Sequence, residues 1–425
     1  MEALRFALVP LGILLVVDAL ALAVLRRALP RLERPWLRGI ALALYWSLAP
    51  LILGAFVLIL RSGDGPALRP TMAVFSALAL AYLPKFFLLA VAGVATVLLT
   101  PWLLVRAIRA AGTARRPELF AWRIRPVAVA ATACGAVVLL GLLHALTLGR
   151  GTLAVRRHVV EIPDLPAGLD GLRLVHLSDL HVASLPDGRF LERLVQAVGD
   201  LRPDLLVYTG DFGPPEDAGA VPEILGRLRA PLGRVAVLGN HDLIRPGVAD
   251  DDSPPTAAEK EARTSRYRAY LAARDWVLLE NDAIVLERGG ARLGILGLGV
   301  DDPHHGFDDA DLPAALAASE GADFRILLAH NPTTWDDEVR GRLPIGAMFA
   351  GHTHAGQIAL EAGPLRWNLA QLSLRRSRGL YRDGGQVLHV SSGIGYVFLP
   401  FRLGCPAEVS LIELRRPRNT STHES

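Results

Sequence analysis

A run of about twenty apolar residues has two stable homes, the interior of a large fold or a bilayer core roughly 30 Å thick. The first 150 residues contain four such runs, Phe6–Leu25, Leu37–Leu60, Phe86–Val105 and Val127–Leu148. A bilayer core holds no water for unpaired backbone groups, so each run has to be a helix. These runs predict an all-α, four-helix transmembrane region over residues 1–150. Three further spans follow the first run, and no small-residue cleavage site ends it, which argues against a removable leader. The stretch Thr71–Val105 is too long for one upright span and is interrupted at Pro84-Lys85. The reading adopted is an interfacial or re-entrant helix over Met72–Leu83 followed by a span. A single long kinked helix is the alternative.

Charge is split in the same way. Residues 1–150 hold 16 basic and 5 acidic side chains, a net +11, so the rest of the chain carries −8 although the whole is +3. The basic surplus belongs to loops that flank membrane helices, and an acidic distal half excludes a broad nucleic-acid footprint. Arginines crowd the first loop (Arg26, Arg27, Arg31, Arg34, Arg38) and the third (Arg106, Arg109, Arg115, Arg116, Arg123, Arg125). That bias places those loops in the cytoplasm and the distal domain on the extracytoplasmic face of a plasma membrane. Asp18 falls inside the first span. It reads as a packing residue that finds a polar partner, although no lone partner charge stands out in the other spans. Cys134 and Cys405 lie far apart and are not expected to pair.

From residue 151 the pattern becomes strand, loop and helix. Five short apolar strands run into polar ends: SDLH (178–181), TGD (209–211), LGNHD (238–242), AHNP (329–332) and GHTH (351–354). Alternating strands and helices predict a sheet core covered by helices. In open α/β sheets the ligand site lies beyond the carboxyl ends of the strands, so these polar ends should converge.

Together they offer carboxylates, imidazoles and one amide. That mixture suits Mn, Fe, Zn or Co, not a thiolate-selected ion. Asp179 and His181 stand two apart, as do His352 and His354, and an extended chain would send each pair to one side. Gly210, Gly239 and Gly351 allow either a close backbone approach or an unusual φ at these turns. One such histidine alone reads as an ordinary core or loop residue. Five elements in this order, each at a strand end, read as a metal site.

The ordered set DxH, GD, GNHD, H and GHxH resembles the calcineurin-like metallophosphoesterase superfamily. The phrases SDLH, VLGNHD, LLAHNP and GHTHAGQI, with the tail GLY…VSSGIGYVFLPFRLGCPAEVSLIEL, look like its bacterial membrane-associated branch of YkuE and YaeI type. The resemblance covers roughly Val155–Leu414. It implies an α/β sandwich of two β-sheets flanked by helices over residues 151–425. It also implies two divalent metal ions, with Mn, Fe, Zn and Mg as candidates. Asp179, His181 and His354 would hold the first, Asn240, His330 and His352 the second, and Asp211 would bridge them. His241 would be the catalytic imidazole beside the phosphate, with Asp242 fixing its orientation. The implied reaction is hydrolysis of a phosphodiester or phosphomonoester by a hydroxide held between the metals. The expected partners are the lipid bilayer and a phosphate-ester substrate, lipid-linked or envelope-derived. A non-catalytic membrane sensor or scaffold that keeps the metal fold is the competing class, and a transport or sensing protein with an appended enzyme module is a third.

Other features have two readings. His304 and His305 either touch substrate or sit in an exposed loop. Arg375, Arg376 and Arg378 grip a phosphate or the membrane surface, or are a solvated charge run. Trp367 and Tyr396–Pro400 touch lipid or pack internally.

Overall fold

The computed structural model describes residues 13–25, 68–109, 116–182, 185, 188–213, 225–244, 255–303, 306–397 and 399–417. The chain divides into two units, Met1–Leu146 and Thr147–Ser425.

The first unit contains α1 (Ile13–Leu25), α2 (Leu68–Arg109) and α3 (Arg116–Thr147). Among the described residues two segments, Ala73–Trp102 and Pro126–Gly151, are long and apolar enough to cross a membrane. The described part of the first predicted span is shorter, and the predicted span 37–60 lies outside the described residues. The expected break at Pro84 is absent. One helix runs through both Pro84 and Pro101. Proline removes one intrahelical hydrogen bond, and an apolar helix with packed neighbours tolerates that loss as a local adjustment. Val97, Leu98, Val137 and Leu140 are left 65–73% exposed on these helices, as lipid-facing residues would be. Where α2 meets α3, a Cβ at Gly135 would stand 2.9 Å from the Pro84 carbonyl, so the small residue permits the approach. The sequence offered no evident partner for Asp18, and the fold supplies one. Asp18 is fully buried, with Lys85 Nζ 2.5 Å from Oδ1 and the Tyr82 hydroxyl 3.4 Å from Oδ2. A paired charge is the form in which an ionised group survives at membrane depth.

The second unit is an α/β sandwich of two mixed sheets. Its elements in chain order are β1 (Leu153–Glu161), β2 (Leu172–Leu177), α4 (Gly188–Leu201), β3 (Leu205–Thr209), β4 (Gly233–Val237), α5 (Asn240–Leu243) and α6 (Ala257–Ala272). There follow β5 (Val277–Leu278), β6 (Asp282–Arg288), β7 (Ala291–Gly297), β8 (Asp301–Asp302), β9 (Phe307–Asp308), α7 (Leu312–Ala318), β10 (Phe324–Leu328) and β11 (Ala347–Ala350). The series closes with β12 (Ala359–Ala362), β13 (Leu365–Asn368), β14 (Gly379–Asp383), β15 (Gln386–Val390) and β16 (Ala407–Arg415). One sheet has the order β1-β16-β2-β3-β4-β5 and the other β14-β15-β11-β10-β7-β6.

Period-two alternation sorts the side chains. Leu174, Val207, Val235 and Ile412 face Ile295, Ile326 and Phe349 in the core between the sheets. Their neighbours Val175, Leu206, Ala236 and Leu411 face outward and are covered by Phe190, Leu194 and Val198 of α4 and by Tyr267 and Leu271 of α6. Central strands buried on both faces explain why β2, β3 and β4 read as largely apolar and do not alternate apolar with polar residues. α6 begins with a capping box in which Thr256 Oγ1 accepts from the Glu259 amide and Glu259 accepts from the Thr256 amide. Strands β2 through β5 run parallel, as do β7, β10, β11 and β15, so their carboxyl ends share a direction within each sheet.

Candidate metal centre

The polar ends of β2, β3, β4, β10 and β11 meet. Asp179, His181, Asp211 and His354 each offer one ligand atom, and these four atoms lie within 4.8 Å of one another. His181 Nε2 is 3.1 Å from His354 Nε2 and 3.3 Å from Asp211 Oδ2, and His354 Nε2 is 3.5 Å from Asp179 Oδ1. On the other side of Asp211, the same Oδ2 lies 3.4 Å from His330 Nε2. That nitrogen is 3.1 Å from Asn240 Oδ1 and 3.2 Å from His352 Nδ1. All seven sequence-nominated donors are therefore brought together, in two groups that meet at one carboxylate oxygen.

The backbone holds them in an unexpected way. Extended alternation was the expectation for DxH and HxH, yet Asp179 (φ 53°), His181 (φ 41°), His352 (φ 69°) and His354 (φ 48°) are all left-handed, and so is Asp211 (φ 61°). Each such residue carries roughly 1–3 kcal/mol of strain. Hydrogen bonds between the loops hold the conformation. The Asp179 amide donates to the Gly210 carbonyl at 2.9 Å, the His181 amide to the Asp211 carbonyl at 3.0 Å, and the His352 amide to Asp179 Oδ1 at 3.0 Å. The pairs still converge, because a tight turn folds two alternate residues to one side as an extended strand would.

The three glycines serve close approach. A Cβ on Gly239 would overlap Asp211 Oδ1, and one on Gly351 would overlap Asp179 Oδ2. Gly210 has a left-handed φ of 92° as well, and its Cβ would stand 2.7 Å from His330 Nδ1.

The donor chemistry fits a divalent cation. Asp179 is fully buried, and its Oδ2 has no hydrogen-bond partner. His330 Nδ1 donates to the Thr209 carbonyl at 2.7 Å, which turns Nε2 toward Asp211 and Asn240. Burial opposes a charge on His330, but Asp211 beside it raises its pKa to about 10. Burial also opposes ionisation of Asp211, yet the facing His330 and His241 hold it well below the usual carboxylate range. The charges of Asp211, His330 and His241 thus support one another, and a bound cation would take over the stabilisation of Asp211 that the imidazoles supply.

His241 and Asp242 sit in the first turn of α5, where a continuing strand was expected, because Gly239 turns the chain after β4. The His241 ring is partly exposed and stands edge-on to His181, with centroids 5.1 Å apart. Its amide donates to Asp211 Oδ1 at 2.9 Å. Asp242 was expected to fix the orientation of His241, but the hydrogen bonds its carboxylate accepts come from backbone amides. Its Oδ2 accepts from the Asp211 and Gly239 amides, each at 2.9 Å, and its Oδ1 from the Gly213 amide at 3.1 Å. Burial, with Asp211 second, raises its pKa to about 7.

Several supporting residues escaped the sequence reading. The loop Ser391–Gly395 packs on the centre, with the Gly395 amide donating to the Asp179 carbonyl at 2.7 Å. Arg402, 1% exposed, donates to the Gly395, Ser392 and Cys405 carbonyls and fixes that loop. The tail VSSGIGYVFLPFRLGC carries part of the resemblance, but residue type alone gives Arg402 no role in it. Cys405 Sγ lies 3.6 Å from the His354 carbonyl. Arg376 pairs with Asp336 at 3.2 Å and lies over the Tyr381 ring, and the Arg378 side chain is 8% exposed and paired with Glu361, so neither belongs to a solvated run. Tyr396 is buried and Trp367 is 36% exposed. His304 and His305 lie outside the described residues.

Residues 172–356 match the family model described as calcineurin-like phosphoesterase. The chain is 27% identical over 265 residues to the uncharacterized metallophosphoesterase YkuE of Bacillus subtilis, covering 61% of this chain and 84% of that one. It is 31% identical over 273 residues to the transmembrane protein with metallophosphoesterase domain of Danio rerio, covering 60% of this chain and 56% of that protein. It is 28% identical over 308 residues to the UDP-2,3-diacylglucosamine pyrophosphatase LpxG of Chlamydia trachomatis, covering 61% and 88%. The chain thus spans little more than half of its vertebrate relative.

Proposed function

We propose that this chain, which carries a calcineurin-like phosphoesterase domain behind apolar helices, is a membrane-anchored dinuclear phosphoesterase. The observation that carries the reading is the position of Asp211. Its Oδ2 stands 3.3 Å from His181 Nε2 and 3.4 Å from His330 Nε2, so one carboxylate serves two donor groups.

Asp179, His181 and His354 would hold one divalent ion, Asn240, His330 and His352 the other, and Asp211 both. When bound, such a pair supplies Lewis-acid stabilisation of phosphoryl oxygens and lowers the pKa of water. The protein supplies the rest. Asp242 ties the loop after β3 to the turn after β4, which keeps Asp211 between the two donor sets. The Thr209 carbonyl fixes the tautomer of His330. His241, at the mouth, gives a proton to the departing oxygen, a contribution worth ~10²–10⁴ in rate. The four apolar runs of residues 1–150 would anchor the domain. The arginine bias supports an extracytoplasmic site, and the likeness to LpxG supports a lipid-linked or envelope-derived phosphate ester.

Turnover of bis(p-nitrophenyl) phosphate by the detergent-solubilised full chain with added Mn²⁺ is expected, with loss on chelation and return on adding metal back. Metal binding without turnover of any mono- or diester would favour the scaffold reading instead.

A further inference from the structure

The sandwich has a cavity, about 170 Å³ in volume, that shares no lining residue with the candidate metal cluster. It lies where the edge strand of one sheet, β1, faces the edge strand of the other, β14, and the β12–β13 hairpin covers it. Arg156 and His158 of β1, Arg366, Trp367 and Asn368 of β13, and Arg378 just before β14 line it.

Its walls are built and unsatisfied. Arg156 Nε, His158 Nε2 and Arg378 Nη2 are buried polar atoms without a hydrogen-bond partner, and all three side chains line this cavity. The Arg378 side chain is only 8% exposed. Such groups cost free energy unless a partner arrives. The lining holds Arg156, Arg366 and Arg378 against Glu361 and Glu408, so positive charge is in excess. The carboxylates are already engaged. Glu361 pairs with Arg156 at 3.1 Å and Arg378 at 2.9 Å, and Glu408 lies 3.9 Å from Arg156 Nε and 3.8 Å from Arg378 Nε while accepting from Ser392 at 2.8 Å and Ser410 at 2.7 Å, which leaves Arg366 as the lining's surplus cation. Burial keeps His158 below its usual pKa, so it enters as a neutral hydrogen-bonding ring. Guanidinium forks beside an indole face suit a tetrahedral oxyanion. At ~30 Å³ per water, the volume takes a phosphate group with its first waters.

We propose that this cavity binds a phosphate group at a site separate from the metal centre. The surroundings favour a lipid as its carrier. Leu360 and Leu365 on the covering hairpin are each 52% exposed, and Leu372 just after it is 76% exposed. Apolar residues flanking arginines suit a phospholipid headgroup with its glycerol region.

The test uses the purified full chain after metal chelation, so that the catalytic centre does not compete for the probe. Inorganic phosphate is titrated calorimetrically. In parallel, retention of phosphatidylglycerol against phosphatidylcholine is read by native mass spectrometry. Arg378→Gln is expected to weaken binding at least about tenfold, and Arg366→Ala, on the exposed hairpin, to weaken it by a smaller factor. If Arg378→Gln does not melt cooperatively, the double variant Arg156→Gln/Arg366→Ala carries the comparison. Preferred retention of phosphatidylglycerol that the variants abolish assigns a lipid source. Saturable phosphate binding without lipid preference, again lost in the variants, assigns a soluble one. Absence of both in the wild type, or binding unchanged in the variants, overturns the proposal.

Discussion

At the scale of single residues, the centre depends on a few atoms held closer than ordinary side chains allow. His241 is partly exposed, and its ring abuts His181 without standing among the seven donors. His241→Ala is expected to keep its metal while losing roughly 10²–10⁴ in turnover, checked by metal analysis beside a phosphodiesterase assay. Asp242→Asn sets an amide against the three backbone N–H groups of Asp211, Gly239 and Gly213. It should lower stability by about 1–3 kcal/mol, read as a fall in melting temperature. An unchanged melting curve would assign Asp242 a purely catalytic role. The convergence of these seven side chains was legible because Asp, Asn and His at strand ends have few structural reasons to recur in order. The left-handed backbone at Asp179, His181, Asp211, His352 and His354 was not legible. Residue type does not encode φ, and these values are imposed by hydrogen bonds between distant loops. Arg402 was hidden for the same reason, since it acts through carbonyls of a loop that only the fold brings near.

At the scale of elements, β2 and β15 face each other across the core through His176 and His389, whose Nδ1 atoms are 2.9 Å apart. One of the two must donate and the other accept, so at most one ring can carry a charge, and burial disfavours even that. Burial lowers His389 to about 4 and pushes His176 well below 6.5. The unfolded chain takes up these protons below about pH 6.5. Stability from this pair is therefore present above pH 6.5 and is lost as pH falls toward 4. The melting temperature should fall over that window, and His176→Leu/His389→Leu should fall less. Equal slopes would remove the pair from the acid response. The strand ends were readable from apolar runs closed by polar residues. The partner across the sheets was not, because His176 and His389 are 213 positions apart and neither sits in a motif.

At the scale of the whole molecule, the sequence separated an apolar, basic first part from an acidic, globular remainder, because bilayer and water select opposite compositions. It did not reveal that α2 runs unbroken through Pro84, since packed neighbours decide whether a proline ends a helix. A reporter fused after Ser425 should score extracytoplasmic, and a cytoplasmic score would reverse the arginine-based orientation. A dinuclear centre here requires one carboxylate, Asp211, shared by two donor groups. The direct test is elemental analysis of the purified full chain and of Asp211→Ala. The prediction is two divalent ions per wild-type chain and loss of both in the variant. A single ion in the wild type, or full metal content in Asp211→Ala, would contradict it.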